Sequence, residues 1–385
     1  MVSSERIIDN SEKMTVNSER IIDEFMELVQ IDSICKNERQ MVDVLKSKLD
    51  AMNVKYYEDN AGEKIGGNAG NLVCCIKGDK SVPVLLFSAH MDTVMPGIGI
   101  KPVIHDGYIK SSGDTVLGAD DVAGIVCMLE AIRLIKDDEA SHGDVWFAFT
   151  MGEEGALYGS KALDLSKINA DYGIVLDSGG KIGTVIIAAP SHYHIEIVIK
   201  GKAAHAGIEP EKGISAITVA SKAISNMQLG RIDFETTANV GIIQGGVATN
   251  IVCDEVKIEA EIRSRSQEKL NMCLAQIKKS VEEAVNDAHA DFEFNYDLEY
   301  KTFEIDKNCD IVYMLDKAAT ESGLILNLKA SGGGSDTNVF NEKGLVSVNI
   351  SVGMDQPHTV NENILIKDLL KAVEFVVSII KSAAK

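Results

Sequence analysis

Residues 82–94 read VPVLLFSAHMDTV. A nearly unbroken apolar run from Val82 to Ala89 stops at His90 and Asp92. A run of that length, rich in Val, Leu and Phe, predicts a strand buried on both faces, as in parallel sheets. Outward from it, strand-like runs recur at Asn71–Ile76, Asp144–Thr150 and Tyr172–Leu176. Helical spacing lies between them. One helix begins at Asn17 or Ser18, which can cap it, and carries Ile21, Ile22, Phe25, Met26 and Val29. A second runs from Glu38 to Met52. A third spans Val122–Ile135, with Ile125, Met128, Leu129 and Ile132 on one side. Strands alternating with helices predict an α/β fold class, with a mostly parallel sheet sandwiched by helices.

The pattern changes after residue 180. His192–Lys200 alternates, with Tyr193, Ile195, Ile197 and Ile199 on one face. A helix over Gly213–Leu229, strands at Ala238–Gln244 and Glu255–Ser264, a helix over Ser266–Ala288 and a strand at Phe292–Tyr300 follow. That order, β-α-β-β-α-β, is a ferredoxin-like α+β unit. The chain then returns to helix (Ile311–Ser322), strand (Val346–Ile350) and helix (Lys367–Ala384). The expectation is a discontinuous domain, 1–179 and 298–385, carrying an inserted domain at 180–297.

The length of 385 residues suits two domains. With 38 basic and 58 acidic residues the net charge is −20, which argues against a nucleic-acid or anionic-membrane surface, since both need clustered Lys and Arg. No apolar run reaches the roughly 18–20 residues of a membrane helix. The first residues show neither a basic n-region nor an apolar h-region, so no secretory leader is expected. Seven cysteines without framework spacing fit free thiols in a reducing cytoplasm. SERIID occurs twice, at Ser4–Asp9 and Ser18–Asp23, too short a repeat to build an architecture.

Five polar clusters carry the chemistry, four of them just past a predicted strand, where open α/β sheets form their ligand sites. In the first, His90 can ligate a metal through one ring nitrogen while Asp92 accepts the other N–H. Alone, His-x-Asp is more often a surface turn. Gly118-Ala119-Asp120-Asp121 opens a helix; one Asp there is a cap, whereas two exceed what capping needs, and one carboxylate can span two cations. Glu153 and Glu154, hemmed by Gly152 and Gly155, follow an apolar strand and point in different directions. One can ligate while its neighbour handles a proton. Asp177 ends a strand, and His358 lies in a loop beyond another. His90, Asp120, Glu154, Asp177 and His358 together would give each of two metals three ligands, one of them shared. The N/O set suits Zn²⁺, with Mn²⁺ or Co²⁺ as substitutes. In the inserted region, His205 sits among small residues, Asn250 follows a Gly-rich turn, and Arg263 ends a strand and offers a planar fork for a carboxylate. On its own, His205 reads first as a structural residue and Arg263 first as a surface salt bridge.

HMDTV, GADD, GEEG, the strand-ending Asp177, AAHAG and PHTVNE resemble the M20 metallopeptidases. SAHMDTVMPGIGIKP and DTVLGADDVAGI point to the tripeptidase T-like aminopeptidases. The resemblance runs from about Ile21 to Ser378. It implies that His90, Asp120 and Asp177 hold one zinc and that Asp120, Glu154 and His358 hold the other. It further implies that Asp92 orients His90, that Glu153 is the general base, and that His205 reaches the scissile carbonyl, in dimeric relatives from the partner subunit. Asn250 and Arg263 match positions that bind the substrate's terminal carboxylate or backbone. The insert would then be a lid and dimerisation domain, with a homodimer through it. The implied activity is a dinuclear zinc exopeptidase acting on short peptides, most simply an aminopeptidase for tripeptides. The alternatives are an N-acyl-amino-acid deacylase or a carboxypeptidase, and a non-catalytic metal- or peptide-binding protein. Val122, Ser215 and Cys253 depart from residues common in the family, and none is a ligand.

Overall fold

A computed structural model describes residues 17–138 and 141–384. The first SERIID copy lies outside them; the second opens the helix Ser18–Leu28, capped by the Asn17 side chain on the Arg20 amide. A nine-stranded sheet forms the larger unit. Its order is Tyr56–Glu58, Leu72–Ile76, Val145–Thr150, Leu85–His90, Tyr172–Ser178, Ser347–Ser351, Thr184–Ala189 and Phe303–Glu304, with Asn327–Ala330 also paired to Thr184–Ala189. The centre is parallel: Leu85–His90 runs with Val145–Thr150 on one side and Tyr172–Ser178 on the other, and Ser347–Ser351 runs with Tyr172–Ser178. Antiparallel pairs form the margins. Every side chain of Leu85–His90 is buried, as the apolar run requires.

The helix Ala119–Ile135 is the internal packing element. Its residues from Ile125 to Ile132 are all buried, because it lies between the sheet and the C-terminal helix Ile366–Ser382. A helix apolar all round has that place in a large core. Because the central strands are parallel, their carboxyl ends meet at one edge of the sheet. That edge receives His90, the loop after Thr150, Asp177 and the loop after Ser351.

A small sheet supports the edge. The hairpin Pro102–His105 and Tyr108–Ser111 turns at Asp106 and Gly107, both with positive φ (51° and 78°). Asp-Gly between alternating apolar residues is the preferred two-residue hairpin turn. Tyr108–Ser111 pairs with Asn363–Leu365, which pairs with Met354–Asp355. The loop joining those last two strands carries His358.

The second unit is a five-stranded antiparallel sheet, ordered Gly230–Arg231, Thr236–Gly245, Glu255–Ser264, Ser191–Lys200 and Asp291–Tyr300. The helices Ala216–Asn226 and Gln267–Ala288 cover one face, and Ile195, Ile197, Ile199, Val256, Ile258 and Ile262 are buried beneath them. The expected insert at 180–297 starts early and ends early. Thr184–Ala189 stays in the large sheet, and the last strand of the small one continues to Tyr300. The chain crosses between the units within one or two residues, at Pro190 and at Lys301–Thr302, between strands of similar composition.

Candidate metal centre

Asp120 organises the site. Its Oδ1 lies 3.1 Å from His90 Nε2 and its Oδ2 3.3 Å from His358 Nε2, so one carboxylate faces both imidazoles. Asp177 Oδ1 approaches His90 Nε2 at 3.9 Å, and Glu154 Oε1 approaches His358 Nε2 at 2.9 Å. Within each of the triads His90–Asp120–Asp177 and Asp120–Glu154–His358, one donor atom per residue lies within 4.8 Å of the others. The five residues read from the sequence as ligands are therefore brought together.

Local structure explains each position. His90 and Asp177 close parallel strands. The turn that opens the Ala119–Ile135 helix is gripped by Glu362. This buried carboxylate accepts the amides of Leu117 and Gly118 on Oε2 (2.7 and 2.8 Å) and of Asp120 on Oε1 (2.9 Å). Glu362 lies four residues beyond His358, so one side chain ties the His358 loop to the Asp120 turn. The neighbouring Asp121 turns inward, accepting the amides of His90 (3.2 Å) and Gly124 (3.1 Å). One Asp of the pair thus faces the site and the other fastens it.

Asp92 was expected to orient His90 through its carboxylate, and the geometry differs. His90 Nδ1 meets the backbone carbonyl of Asp92 at 2.8 Å, while the carboxylate stands 3.6 Å away. The carboxylate oxygens instead accept the amides of Glu153 (2.9 Å) and Glu154 (3.1 Å). Glu38, fully buried, adds a third grip, its Oε1 accepting the Gly152 amide at 3.1 Å and the Lys36 amide at 3.0 Å. Three successive amides, 152 to 154, are therefore held by two buried carboxylates.

The charges ask for cations. Burial pushes the Asp177 and Glu153 carboxyls well above their ordinary range, and neighbouring carboxylates push them further. Burial also raises Asp120, but its hydrogen bonds to His358 and His90 outweigh that and hold it low. Asp120 and Glu154 drive His358 up to about 10. The protein alone thus puts protons on both imidazoles to balance its carboxylates. Two divalent ions in the two triads would serve the same need with an N/O donor set.

A cavity of about 530 Å³ opens over this cluster. Asp120, Glu153, Glu154, Asp177 and His358 form one wall. Arg263, His192 and Tyr300 of the small sheet line it as well. Arg263 uses Nε and Nη2 on Glu261 (3.2 and 3.0 Å), and Glu261 also meets His192 at 3.3 Å. These contacts hold Glu261 down at about 2, with His192 the first contributor. The Gly-rich loop Ser331–Ser335 lines the cavity too, its Gly334 amide donating to the Tyr300 hydroxyl at 3.1 Å. That loop was not singled out in the sequence, although three successive glycines before a Ser-capped helix, Asp336–Glu342, mark a close backbone approach.

His205 and Asn250 are not among the residues lining this cavity. Both are exposed in the small unit and adjacent to each other, with the Ala206 amide donating to the Asn250 carbonyl at 2.9 Å. The exposed side of that unit also holds an open strand edge. Thr236–Gly245 pairs along its length with Glu255–Ser264, but on its other side only Thr237 and Ala238 are paired among the described residues. Ile242, Ile243 and Val247 stand exposed there.

Comparison with known proteins gives two family matches, the peptidase dimerisation domain of M20 enzymes over residues 190–289 and peptidase family M28 over residues 71–229. The YqjE protein of Bacillus subtilis is 49% identical, the match spanning 96% of this chain and all of that one. The crystal structure of aminopeptidase PepT from Bacillus cereus is 46% identical with a TM-score of 0.86, covering 96% of this chain and 100% of that one. A tripeptidase from Staphylococcus aureus is 40% identical with a TM-score of 0.91, over the same shares.

Proposed function

The chain belongs to the M20 metallopeptidases, in their peptidase T-like branch, and from that premise we propose that it is an exopeptidase releasing the N-terminal residue from tripeptides. The observation that carries the reading is Asp120, with one oxygen toward each imidazole and Glu153 beside it on the wall of a cavity.

His90, Asp120 and Asp177 would hold one divalent ion, and Asp120, Glu154 and His358 the other; zinc suits the donors best, with cobalt or manganese as substitutes. When bound, such ions polarise a substrate carbonyl and make a water acidic near neutral pH. The protein supplies the rest. Glu153, raised by burial, accepts the water's proton and later hands it to the departing amine. Glu38 and Asp92 hold the loop that aims it. Arg263 has the fork to receive the peptide's terminal carboxylate. Tyr300 and the Ser331–Ser335 loop line the space between.

His205 and Asn250 complete the site from a second copy. In this reading the small unit, residues 191–300, is a lid and dimerisation domain. Its open edge and exposed Ile242 and Ile243 support a two-fold pairing of strands. The described residues include no helix long and apolar enough to cross a membrane, and all seven cysteines are free, which supports a cytoplasmic setting.

A panel of tripeptides, dipeptides and N-acetylated amino acids, assayed with Zn²⁺, Co²⁺ or Mn²⁺, tests the reading. Release of the free N-terminal residue from tripeptides is the expected result. Turnover of acetylated amino acids alone would make the protein a deacylase, release from the C-terminus a carboxypeptidase, and binding without turnover a non-catalytic protein.

A further inference from the structure

Beside the catalytic cavity lies a second one of about 400 Å³, and Arg263 and Ser331 belong to the walls of both. Its lining includes three arginines, Arg231, Arg263 and Arg265, and a single carboxylate, Glu235. That carboxylate is already engaged by Lys269 at 2.7 Å, and Arg265 Nε stands 3.9 Å from it. Arg263 has Glu261. Arg231 is exposed and has no ion-pair partner among the described residues. Phe234, 75% exposed, forms an apolar side wall, with Arg265 and Lys269 over its ring at 5.7 and 4.8 Å. Lys269 also meets Asp233 at 2.8 Å, so the four cations Arg231, Arg263, Arg265 and Lys269 face three carboxylates, Glu235, Glu261 and Asp233. In a chain of net charge −20 the local balance is one positive charge in excess, left on Arg231.

The sheet register gives the arrangement a direction. Arg231 pairs with Thr237, Thr237 with Arg263, Arg263 with His192 and His192 with Tyr300. Directly paired residues present their side chains on one face. The adjacent Ile262 is buried under the helices, so this row lies on the opposite, open face. One ladder row thus crosses the whole sheet from the catalytic cavity, at Tyr300 and His192, through Arg263, to the second cavity at Arg231. Arg263 and Arg231 sit two strands apart, with Cα atoms separated by roughly 10 Å. A peptide residue whose α-carboxylate rests on Arg263 therefore has a short side chain's reach to the second cavity.

We propose that this cavity is a subsite for a second anionic group, the side-chain carboxylate of an aspartate or glutamate at the C-terminus of the peptide. The inference rests on the tripeptidase reading above. A small free oxyanion shares the same chemistry, and the test separates the two.

Two tripeptides identical except for a C-terminal Glu or Gln are compared in the wild type and in the Arg231→Gln and Arg265→Gln variants. A charge-assisted contact is worth about tenfold in affinity, so the wild type should favour the Glu peptide by about that factor, mainly through KM. Each variant should bring the ratio close to one. Calorimetric binding of both peptides to the Glu153→Gln protein reads the same preference without turnover. It also separates failure of this subsite from failure of the tripeptidase reading. Inorganic phosphate should compete with the Glu peptide and leave the Gln peptide's KM unchanged. Equal KM for the two peptides in the wild type would overturn the assignment. Phosphate binding lost in Arg231→Gln, together with equal KM, would likewise overturn it in favour of a free-anion site.

Discussion

Glu38 Oε1 accepts the Gly152 amide at 3.1 Å across 114 residues of chain, immediately before the two glutamates of the metal centre. Asp92 takes the next two amides. Removing Glu38 strands the buried Gly152 N–H at a cost of about 1–3 kcal/mol, whereas the Lys36 amide, on an exposed residue, can turn to water. Glu38→Ala should lower stability by about 1–3 kcal/mol in urea unfolding and kcat by about 10²-fold, since a displacement near 1 Å costs that much. Burial already pushes the Glu38 carboxyl upward, so the neutral isostere Glu38→Gln should restore most of both. A kcat unchanged in Glu38→Ala would separate the grip from catalysis.

Glu153 belongs to neither assigned ligand triad, so its proposed role as base is separable from metal binding. Glu153→Gln should reduce kcat by about 10²–10⁴-fold, the range for loss of a positioned general base. Elemental analysis should still find two ions per chain, as the assignment requires. Loss of one ion with the activity would recast Glu153 as a ligand.

The open edge of Thr236–Gly245 leads to a test of the site's composition. Ile243→Lys puts a charge on an edge strand, which opposes edge pairing. Sedimentation should show a dimer in the wild type and a monomer in the variant, with activity falling alongside. His205→Ala and Glu153→Gln proteins, each inactive, should recover activity on mixing. Half of randomly mixed two-fold dimers are mixed, each with one intact site, so about a quarter of wild-type activity returns. No recovery would mean that His205 serves no site in the partner.

The site was legible wherever chemistry followed an apolar run. His90 and Asp177 lie at the ends of strands and Glu154 and His358 in loops just after strands, and the parallel centre of the sheet brings those carboxyl ends together. The unexpected details are long-range. Asp92 was readable as a partner of His90, but its carboxylate serves the Glu153 and Glu154 amides, 61 and 62 residues away. Glu38 is a single acidic residue before a helix, with no periodicity to single it out. Glu362 stood within a quoted motif, yet its three amide contacts depend on how the His358 loop packs. The hairpin at Asp106-Gly107, by contrast, has a clear local signal in its two turn residues. His205 is singled out only by resemblance, whereas its absence from the lining of its own chain's cavity is a property of the tertiary structure.

Away from the metal centre, Glu58 links two segments of the larger unit. It meets Arg39 at 2.8 and 3.1 Å, Lys46 at 2.6 Å and the Gly70 amide at 2.9 Å. Burial pushes its carboxyl up, but these partners outweigh burial and bring it from an ordinary 4.5 to about 2. A depressed carboxylate contributes stability that is fully present above its unfolded value and lost as pH falls through the folded one. Glu58→Gln should therefore lower the unfolding midpoint at neutral pH. The gap from wild type should close between pH 4.5 and about 2. A gap independent of pH would assign the effect to packing.

Metal removal tests the charge argument directly. Asp120, Glu153, Glu154 and Asp177 converge on one edge of the sheet, and without cations the imidazoles of His90 and His358 must carry protons to balance them. Ion binding to the folded state alone stabilises it by about 2.7 kcal/mol when the free ion stands at 100 times its Kd. Chelation should then lower the thermal midpoint by roughly 5 °C or more for a unit of this size, and added zinc should restore it. Because the ion displaces protons from its ligands, calorimetry in buffers of different ionisation enthalpy should register proton release on rebinding. Glu153→Gln should still rebind metal, while His358→Ala should lose one ion and with it part of the shift. A midpoint indifferent to chelation, with no protons released, would mean that the five residues satisfy one another without a metal.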